Sequence, residues 1–369
     1  MNLTSLVSLD IGQNYFSSTS ELNLFVHLSS NLQVLRLDRN NFNGPFPFKM
    51  FEKFRYLSVL DIHGNSFNSS ASMLDSLCNH SSLVVLDLSF NELEGPLPLC
   101  LGNLTSLKVF DLKINRFDGK IPSELGYLKE LSYLDLSSNS FNSSIPSSLG
   151  KLRKLEFLYL NGNHLYGKVP ATLGQLSRLK QLSISGNSLT GEISELHFMK
   201  LKRLKYLGFS GFVELRVNPQ WIPPFQLSVT YLDLSKNKIN NVLPSSMKNL
   251  RCLIEVDLSE NKLTGTITEW INQELSQLRM LTLRSNSFYG VIPSSFKYFK
   301  YFYYLDLSEN QFTGTIPEWI GEVSQIEELR LRSNSFYGVI PVQLCQLPYL
   351  KTLSLANNNL TGYIPDCLL

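Results

Sequence analysis

Several features are missing from this sequence, and each absence excludes a class of protein. Its 369 residues contain no run of about 18 apolar residues, so no segment is predicted to cross a membrane as a helix. The first residues, Met1–Leu6, have neither the basic start nor the apolar stretch of a signal peptide. The 33 Lys and Arg residues nearly balance 31 Asp and Glu residues, so we expect no nucleic-acid partner. A hydrophobic fraction of 43% excludes a disordered chain.

The chain is instead organised by a repeat that recurs every 24 to 26 residues. Leu131–Phe141 is repeated as Leu155–Leu165 and again as Leu350–Leu360. One asparagine marks each unit, and Phe212 takes its place in the single unit that lacks it. These repeat asparagines are Asn14, Asn40, Asn65, Asn91, Asn115, Asn139, Asn163, Asn187, Asn237, Asn261, Asn286, Asn310, Asn334 and Asn358.

The positions of the unit indicate a short strand followed by a turn. Leucines 8, 5 and 3 residues before the repeat asparagine alternate around a strand and point into a core. The asparagine turns the chain and satisfies backbone groups with its amide, so stacked units are expected to form an asparagine ladder. One unit cannot bury its own apolar face. The repeat therefore predicts a curved, right-handed solenoid with a parallel sheet on the concave side and short 3-10 or irregular segments on the convex side.

We expect one array of about 15 units over residues 1–369, irregular near residues 188–229 and without terminal caps. The irregular stretch has Phe212 at the asparagine position, and Asn218–Phe225 replaces the usual outer segment. The run Phe296–Tyr304 mixes bases and aromatics, but its Phe296, Phe299 and Phe302 occupy leucine positions and are predicted to be core.

Residues that could support catalysis are scattered. The five histidines lie at unrelated repeat positions, so we expect no metal cluster, no cofactor and no enzymatic activity. His63 is predicted to lie beside Asp61 on the concave surface, where we interpret it as half of a solvated pair. A column of Asp residues follows from the repeated Leu-Asp-Leu-Ser sequence rather than from acid–base chemistry. The column comprises Asp10, Asp61, Asp87, Asp111, Asp135, Asp233, Asp257 and Asp306.

Four of the five cysteines occupy matching repeat positions. Cys78 and Cys100 are 22 residues apart around Asn91, as Cys345 and Cys367 are around Asn358. Since stacked coils lie about 5 Å apart, the spacing favours two disulfides and an oxidising compartment. The alternative is that these cysteines are small buried apolar residues. Cys252 is left over.

The chain contains six N-glycosylation sequons, about as many as chance predicts from its composition. Five of them, 12 residues before or 3 residues after a repeat asparagine, are predicted to lie outside the strand, and all six are candidates for modification in the secretory pathway. The sequon asparagines are Asn2, Asn68, Asn79, Asn103, Asn142 and Asn359.

Two bands of side chains are predicted on the concave face, where a solenoid normally binds its partner. The aromatic band comprises Tyr133, Phe157, Tyr159, Tyr206 and Tyr231. The arginine band comprises Arg279, Arg284, Arg330 and Arg332, with Glu255, Glu309, Glu327 and Glu328 nearby. Aromatics are enriched at binding hot spots, and Arg captures carboxylates or peptide C-termini. The alternative is that the rings pack sideways on each other and the charges pair on a solvated face.

The repeat resembles the plant extracellular leucine-rich-repeat family. The motif LxxLxxLxLxxNxLxGxIPxxLGxL is matched by Leu128–Leu152 and Leu152–Leu176, and less completely by most other units. Its GxIP part, as in Gly119–Pro122 and Gly314–Pro317, is typical of the plant extracellular class. Trp221–Leu227 and Gln343–Leu347 resemble segments of receptor-like proteins that perceive microbial elicitors.

The resemblance implies an α/β leucine-rich-repeat solenoid from the ectodomain of a kinase-less cell-surface receptor. Such a protein binds a peptide or protein ligand on its concave face and signals through a receptor kinase as co-receptor, in defence. It implies the extracellular side of the plasma membrane as the location. The chain itself has no predicted signal peptide, membrane helix or end cap, which indicates a piece of a longer protein.

Two alternatives stay open from the sequence. One is a soluble inhibitor of a pathogen cell-wall-degrading enzyme, because polygalacturonase-inhibiting proteins have the same repeat type. The other is a truncated decoy that binds without signalling. A membrane segment encoded downstream would favour the receptor, and a cysteine-rich end cap without one would favour the inhibitor.

Overall fold

A computed structural model describes residues 5–17, 22, 27–218, 220–240 and 242–369. These residues fall into two compact units. Unit 1 lies within Met1–Thr190 and Leu196–Leu201, and unit 2 within Gly191–Glu195 and Lys202–Leu369.

Unit 1 is built on a main sheet of short parallel strands, each paired in register with the next along the chain. Its strands are Ser8–Asp10, Val34–Arg36, Val59–Asp61, Val85–Asp87, Val109–Asp111, Tyr133–Asp135, Phe157–Tyr159 and Gln181–Ser183. The alternation of the repeat explains them, since Leu131, Leu134 and Leu136 are all fully buried. The side of these strands that points away from the core is called the solvent face below.

Further short strands and 3-10 helices complete the coils that begin in unit 1. The additional strands are Asn43–Gly44, Ser66–Phe67, Glu94–Pro96, Arg116–Asp118, Tyr166–Lys168 and Ser188–Ile193. The 3-10 helices are Phe48–Lys53, Ala71–Leu77, Leu99–Asn103, Ser123–Tyr127, Ser147–Lys151, Ala171–Gln175 and Glu195–His197. The sequence predicted irregular or 3-10 segments at these places, whereas the additional strands were not predicted.

Unit 2 repeats the same plan. Its main strands are Tyr206–Gly208, Tyr231–Asp233, Glu255–Asp257, Met280–Thr282, Tyr304–Asp306, Glu328–Arg330 and Thr352–Ser354. Its additional strands are Phe212–Leu215, Thr264–Thr266, Ser287–Gly290, Gln311–Gly314, Ser335–Val339 and Asn359–Thr361. Its 3-10 helices are Ser245–Asn249, Ile267–Glu269, Gln273–Leu275, Ser294–Tyr298, Glu318–Glu322, Val342–Gln346 and Asp366–Leu368. Phe296, Phe299 and Phe302 are buried with ring centroids 5.3–5.7 Å apart, as predicted for core positions.

The repeat asparagines form the predicted ladder. The Asn139 amide nitrogen donates to the carbonyl oxygens of Leu136 and Ser137 in its own coil, and to that of Leu112 in the preceding coil at 2.9 Å. Its Oδ1 accepts from the backbone N–H of Phe117 at 3.0 Å. Each asparagine therefore closes its own turn and ties it to the coil before.

The prediction of parallel strands opposite 3-10 segments is thus confirmed within each unit. The single 15-unit array stays a prediction. Within the described ranges, no helix has the length and hydrophobicity needed to span a bilayer.

Candidate functional site

Four aspartates of unit 1 stand side by side on the solvent face. Strand register places Asp61 opposite Asp87, Asp87 opposite Asp111, and Asp111 opposite Asp135. Because neighbouring strands are about 4.8 Å apart, the four carboxylates form a continuous row, here called the carboxylate row. Like charges this close raise one another's pKa values.

Two of the four members of the row, Asp87 and Asp135, are capped by a serine two residues later in the chain. Asp87 accepts from the backbone N–H of Ser89 at 3.0 Å and from its hydroxyl at 2.7 Å. Ser137 makes the same two contacts with Asp135, at 2.9 and 2.5 Å. These bonds stabilise the charged carboxylates.

Asp111 differs because Lys113 occupies the serine position. Its carboxylate accepts from the Lys113 backbone N–H at 3.0 Å, and there is no hydroxyl to add a second bond. Its side chain is buried, with the residue 9% exposed. Burial, followed by the charges of Asp87 and Asp135, raises the pKa of Asp111 to about 7.

At the other end of the row, His63 occupies the serine position after Asp61. Its Nδ1 lies 2.7 Å from Asp61 Oδ1 and 3.7 Å from Asp87 Oδ2. Its Nε2 faces the Nε of Arg39 at 3.2 Å. Since the Arg nitrogen can only donate, Nε2 accepts and the imidazole proton sits on Nδ1, shared with Asp61. Burial raises the pKa of Asp61, although the hydrogen bond from His63 opposes the shift.

The sequence prediction paired His63 with Asp61 and missed Asp87. It compared histidines with other histidines, whereas the structure joins one histidine to two carboxylates from neighbouring strands. Two signals were available in the sequence: the Asp column itself, and the replacement of the usual serine by His63 and Lys113.

The aromatic band is divided between the solvent face of unit 1 and the solvent face of unit 2. In unit 1 the Tyr133 ring centroid is 5.8 Å from those of Phe157 and Tyr159, and all three side chains are half-buried. In unit 2 the rings of Tyr206 and Tyr231 are 6.0 Å apart, and Tyr231 is 37% exposed. These contacts are the sideways packing of the alternative interpretation, yet each group leaves ring surface open to solvent.

Hydroxyl groups fix two of these rings. Tyr133 donates to Asp135 Oδ2 at 3.3 Å, and Tyr159 donates to the side-chain oxygen of Gln181. Burial, and then the charges of Asp111 and Asp135, raise the pKa of Tyr133. The tyrosines thus present fixed, neutral, amphipathic surfaces beside the carboxylate row.

The arginine band is partly neutralised by glutamates. Arg284 pairs with Glu309 at 3.2 Å, and Arg330 pairs with Glu328 at 2.6 Å. The Arg279 guanidinium lies 5.5 Å from the Tyr301 ring centroid. Arg332 is exposed. A hydrogen bond from Ser285, and then the charges of Arg284 and Arg332, lower the pKa of Glu309.

The cysteines and sequons occupy the periphery of the coils. The structure joins Cys78 to Cys100 and Cys345 to Cys367, with Cα atoms 5.4 and 5.8 Å apart, and leaves Cys252 as a thiol. Asn2 lies outside the described residues. The other sequon asparagines are all exposed: Asn68, Asn79, Asn103, Asn142 and Asn359.

Models of leucine-rich repeats match most of the chain. A model described as a leucine-rich repeat region covers residues 64–210, and leucine-rich-repeat models cover residues 227–288, 276–336 and 349–369. The chain belongs to the plant extracellular leucine-rich-repeat family. The resemblance seen in the GxIP turns is therefore confirmed, and so is the leucine-rich-repeat solenoid fold.

Several proteins similar to this leucine-rich-repeat chain are plant receptor proteins. Receptor-like protein 14 of Arabidopsis thaliana is 35% identical over 102 residues, which are 26% of this chain and 10% of that protein. The structure of a TDR receptor is 31% identical with a TM-score of 0.84, covering 97% of this chain and 61% of that one. The Arabidopsis receptor kinase HAESA ectodomain, solved with an IDA peptide hormone, is 30% identical with a TM-score of 0.80, covering 94% and 61%.

The matched segment is a small part of the curated relatives, about a tenth of the length of receptor-like protein 14. The leucine-rich-repeat ectodomain family to which these structures belong is not enzymatic.

Proposed function

We propose that this chain is a ligand-recognition ectodomain, or part of one, from a kinase-less plant receptor-like protein. It binds a peptide or protein ligand on the solvent face of its strands and signals through a receptor kinase as co-receptor, in defence. Two structures of the Arabidopsis receptor kinase HAESA support the general form of this proposal. One contains an IDA peptide hormone, and the other contains the peptide hormone IDA and the co-receptor SERK1.

The arginines of unit 2 are the observation that carries the proposal. Arg284 and Arg332 are exposed on the solvent face, two residues before their repeat asparagines, and Arg330 lies on the strand Glu328–Arg330. Guanidinium groups bind carboxylates with two parallel hydrogen bonds, so fixed arginines suit an acidic side chain or a peptide C-terminus. Glu309 and Glu328 orient two of them without burying them.

The periphery supports an extracellular location for the whole protein. Two disulfides between neighbouring coils require an oxidising compartment. Five exposed sequon asparagines are accessible to glycosylation in the secretory pathway. We place the protein on the outer side of the plasma membrane, where a receptor of this kind meets its ligand.

Selection of peptides tests the proposal directly. The secreted, glycosylated chain is immobilised, and a random peptide library with free C-termini is selected against it. We expect enriched peptides that bind the chain and lose at least tenfold in affinity when Arg332→Met and Arg330→Met are combined, because two bidentate contacts are removed. Amidating the peptide C-terminus separates recognition of that carboxylate from recognition of an acidic side chain.

A second pair of variants tests the aromatic band. Replacing Tyr159, Tyr206 and Tyr231 with Ala is expected to weaken the same peptides. The matched control replaces Tyr166, Tyr337 and Tyr363, which are at least as exposed but lie outside the main strands, and is expected to leave binding unchanged. Circular dichroism verifies the fold of every variant. Failure to enrich any peptide, or equal affinity in all variants, contradicts binding on the solvent face.

A further inference from the structure

His63 breaks the pattern of the repeat on the solvent face of unit 1. In most coils whose main strand ends in Asp, the residue two positions later is a serine, and that serine caps the carboxylate. These serines are Ser89, Ser137, Ser235, Ser259 and Ser308. A serine reaches only its own aspartate, whereas the larger imidazole of His63 lies between Asp61 and Asp87.

The three side chains converge on one point. His63 Nδ1 is 2.7 Å from Asp61 Oδ1 and 3.7 Å from Asp87 Oδ2, and one donor atom from each residue lies within 4.8 Å of the others. Their side chains are only 17–22% exposed. Two of the donors come from paired strands, Val59–Asp61 and Val85–Asp87, so the sheet fixes their spacing.

This spacing is close to that of ligands around one small cation. Two atoms each about 2.1 Å from a tetrahedral Zn²⁺ ion lie about 3.4 Å apart. The 3.7 Å distance between His63 and Asp87 is close to this value, and the 2.7 Å distance between His63 and Asp61 would have to open by about 0.7 Å. We propose that Asp61, His63 and Asp87 form a binding site for a divalent transition-metal ion such as Zn²⁺, with water as the fourth ligand.

The ligand set selects the class of metal. A nitrogen donor with two carboxylates suits Zn²⁺ and its neighbours in the first transition row, whereas Ca²⁺ and Mg²⁺ take oxygen ligands. Two carboxylates and a neutral imidazole balance the charge of the ion. The ion also lies between two carboxylates that otherwise repel each other.

Binding of the ion requires the hydrogen bond between Arg39 and His63 to break. In the metal-free arrangement the proton is on Nδ1 and Nε2 accepts from Arg39. When Nδ1 holds the ion, the proton moves to Nε2, and two donors would then face each other. Arg39 is exposed and can turn away, so binding exchanges this contact for the metal bonds without net loss of a proton.

Calorimetric titration of the tag-free chain with ZnCl₂ tests the site. We expect one ion per chain, no comparable binding of CaCl₂, and at least tenfold weaker Zn²⁺ binding in His63→Ser and in Asp87→Asn. His63→Ser restores the residue that the repeat uses elsewhere, so it is expected to fold. The control His164→Ser removes an exposed histidine far from the site in sequence and is expected to bind Zn²⁺ like the original chain.

Two further variants make the outcome decisive. Ser235→His places an imidazole beside Asp233 and Asp257 of unit 2 and is expected to raise the stoichiometry to two ions. Arg39→Gln provides a carbonyl acceptor for the Nε2 proton and is expected to tighten binding. The proposal is overturned if the original chain shows no saturable Zn²⁺ binding, if His63→Ser binds as tightly as the original, or if Ser235→His adds no ion.

Discussion

Units 1 and 2 share one backbone plan and differ in what they present on it. In unit 1 the strand ends carry an unbroken carboxylate row of Asp61, Asp87, Asp111 and Asp135. In unit 2 the corresponding ends carry Asp233, Asp257, Thr282, Asp306 and Arg330, so a hydroxyl interrupts the acids and an arginine ends them. The buried positions therefore specify the fold, while the solvent face varies within it.

Substitution of a buried repeat asparagine is expected to have the largest effect on the free energy of unfolding, and an equal effect in both units. Asn139→Ala in unit 1 removes the acceptor of the Phe117 N–H. It also removes one donor from the Leu112 carbonyl, which keeps its bond from Asn115, and the bonds that Asn139 gives to the Leu136 and Ser137 carbonyls. Asn237→Ala in unit 2 removes the corresponding contacts with the Val213 N–H and the Phe209 carbonyl. We expect each to lower the free energy of unfolding by about 4 kcal/mol, because two or more buried polar groups lose their hydrogen bonds.

Native-state hydrogen exchange, read separately in the strands of each unit, measures both losses. Asn14→Ala is the control, since the side-chain hydrogen bonds of Asn14 lie in an exposed coil and are expected to contribute far less. A large loss in one unit alone would show that the ladder does not stabilise both units in the same way.

The carboxylate row of unit 1 is expected to give the next largest effect. The pKa of Asp111 is about 7 in the folded chain against an ordinary value of 3.8, so the folded state holds this proton longer. The free energy of unfolding therefore falls as the pH rises from about 4 to about 7. Asp111→Asn removes this penalty, and we expect it to stabilise the chain by roughly 2 kcal/mol at pH 8, since Asp87 and Asp135 share the shift.

At pH 4 the same substitution is expected to be close to neutral, because Asp111 is then protonated in the folded state. Urea unfolding at pH 4 and pH 8 measures the difference. The reverse change is Thr282→Asp in unit 2, which places a carboxylate between Asp257 and Asp306. It is expected to destabilise the chain at pH 8, and an absence of pH dependence in both variants would contradict the raised carboxylate pKa, from burial and neighbouring charges, as the cause.

The repeat made the backbone plan predictable, because buried leucines and the asparagine recur at fixed spacing. The additional strands, such as Ser335–Val339, were not predictable in the same way. Apart from the buried Phe336, this strand consists of exposed and half-buried residues around Gly338. The additional strands form only because stacking brings equal segments of neighbouring coils together. The sequence of a single repeat contains no signal for strand pairing with the neighbouring repeat.

The backbone conformation of the residue before the repeat asparagine was also not predictable from the pattern. Gly64, Gly162 and Gly186 have positive φ there, but so do Ile114 and Phe90, at 54° and 53°. Glycine in three units pointed to a left-handed conformation, while the other side chains obscured it. Ile114 keeps this costly conformation because the ladder on either side fixes the turn.

The candidate site was predictable only as far as residue type and face. Repeat position correctly put the Asp column, the aromatics and the arginines on the solvent face. It did not reveal that Arg330 is paired with Glu328 within one strand, or that Asp111 is buried with only the Lys113 backbone N–H as its cap. Those properties depend on rotamers and on burial between coils, which a one-dimensional pattern does not contain.

The smallest effect on the free energy of unfolding is expected from loss of an ion pair on the solvent face of either unit. Arg284 and Glu309 of unit 2 are 49% and 41% exposed, and Lys180 and Glu156 of unit 1 are 37% and 29% exposed. Arg284→Met and Lys180→Met are each expected to cost about 0.5 kcal/mol or less in urea unfolding, because water screens exposed pairs and holding them costs side-chain entropy. Either loss is expected to shrink at about 1 M salt, where the Debye length is about 3 Å. A loss above about 1.5 kcal/mol for Arg284→Met alone would mean that this arginine is a structural part of unit 2, and ligand capture would then have to be assigned to Arg332.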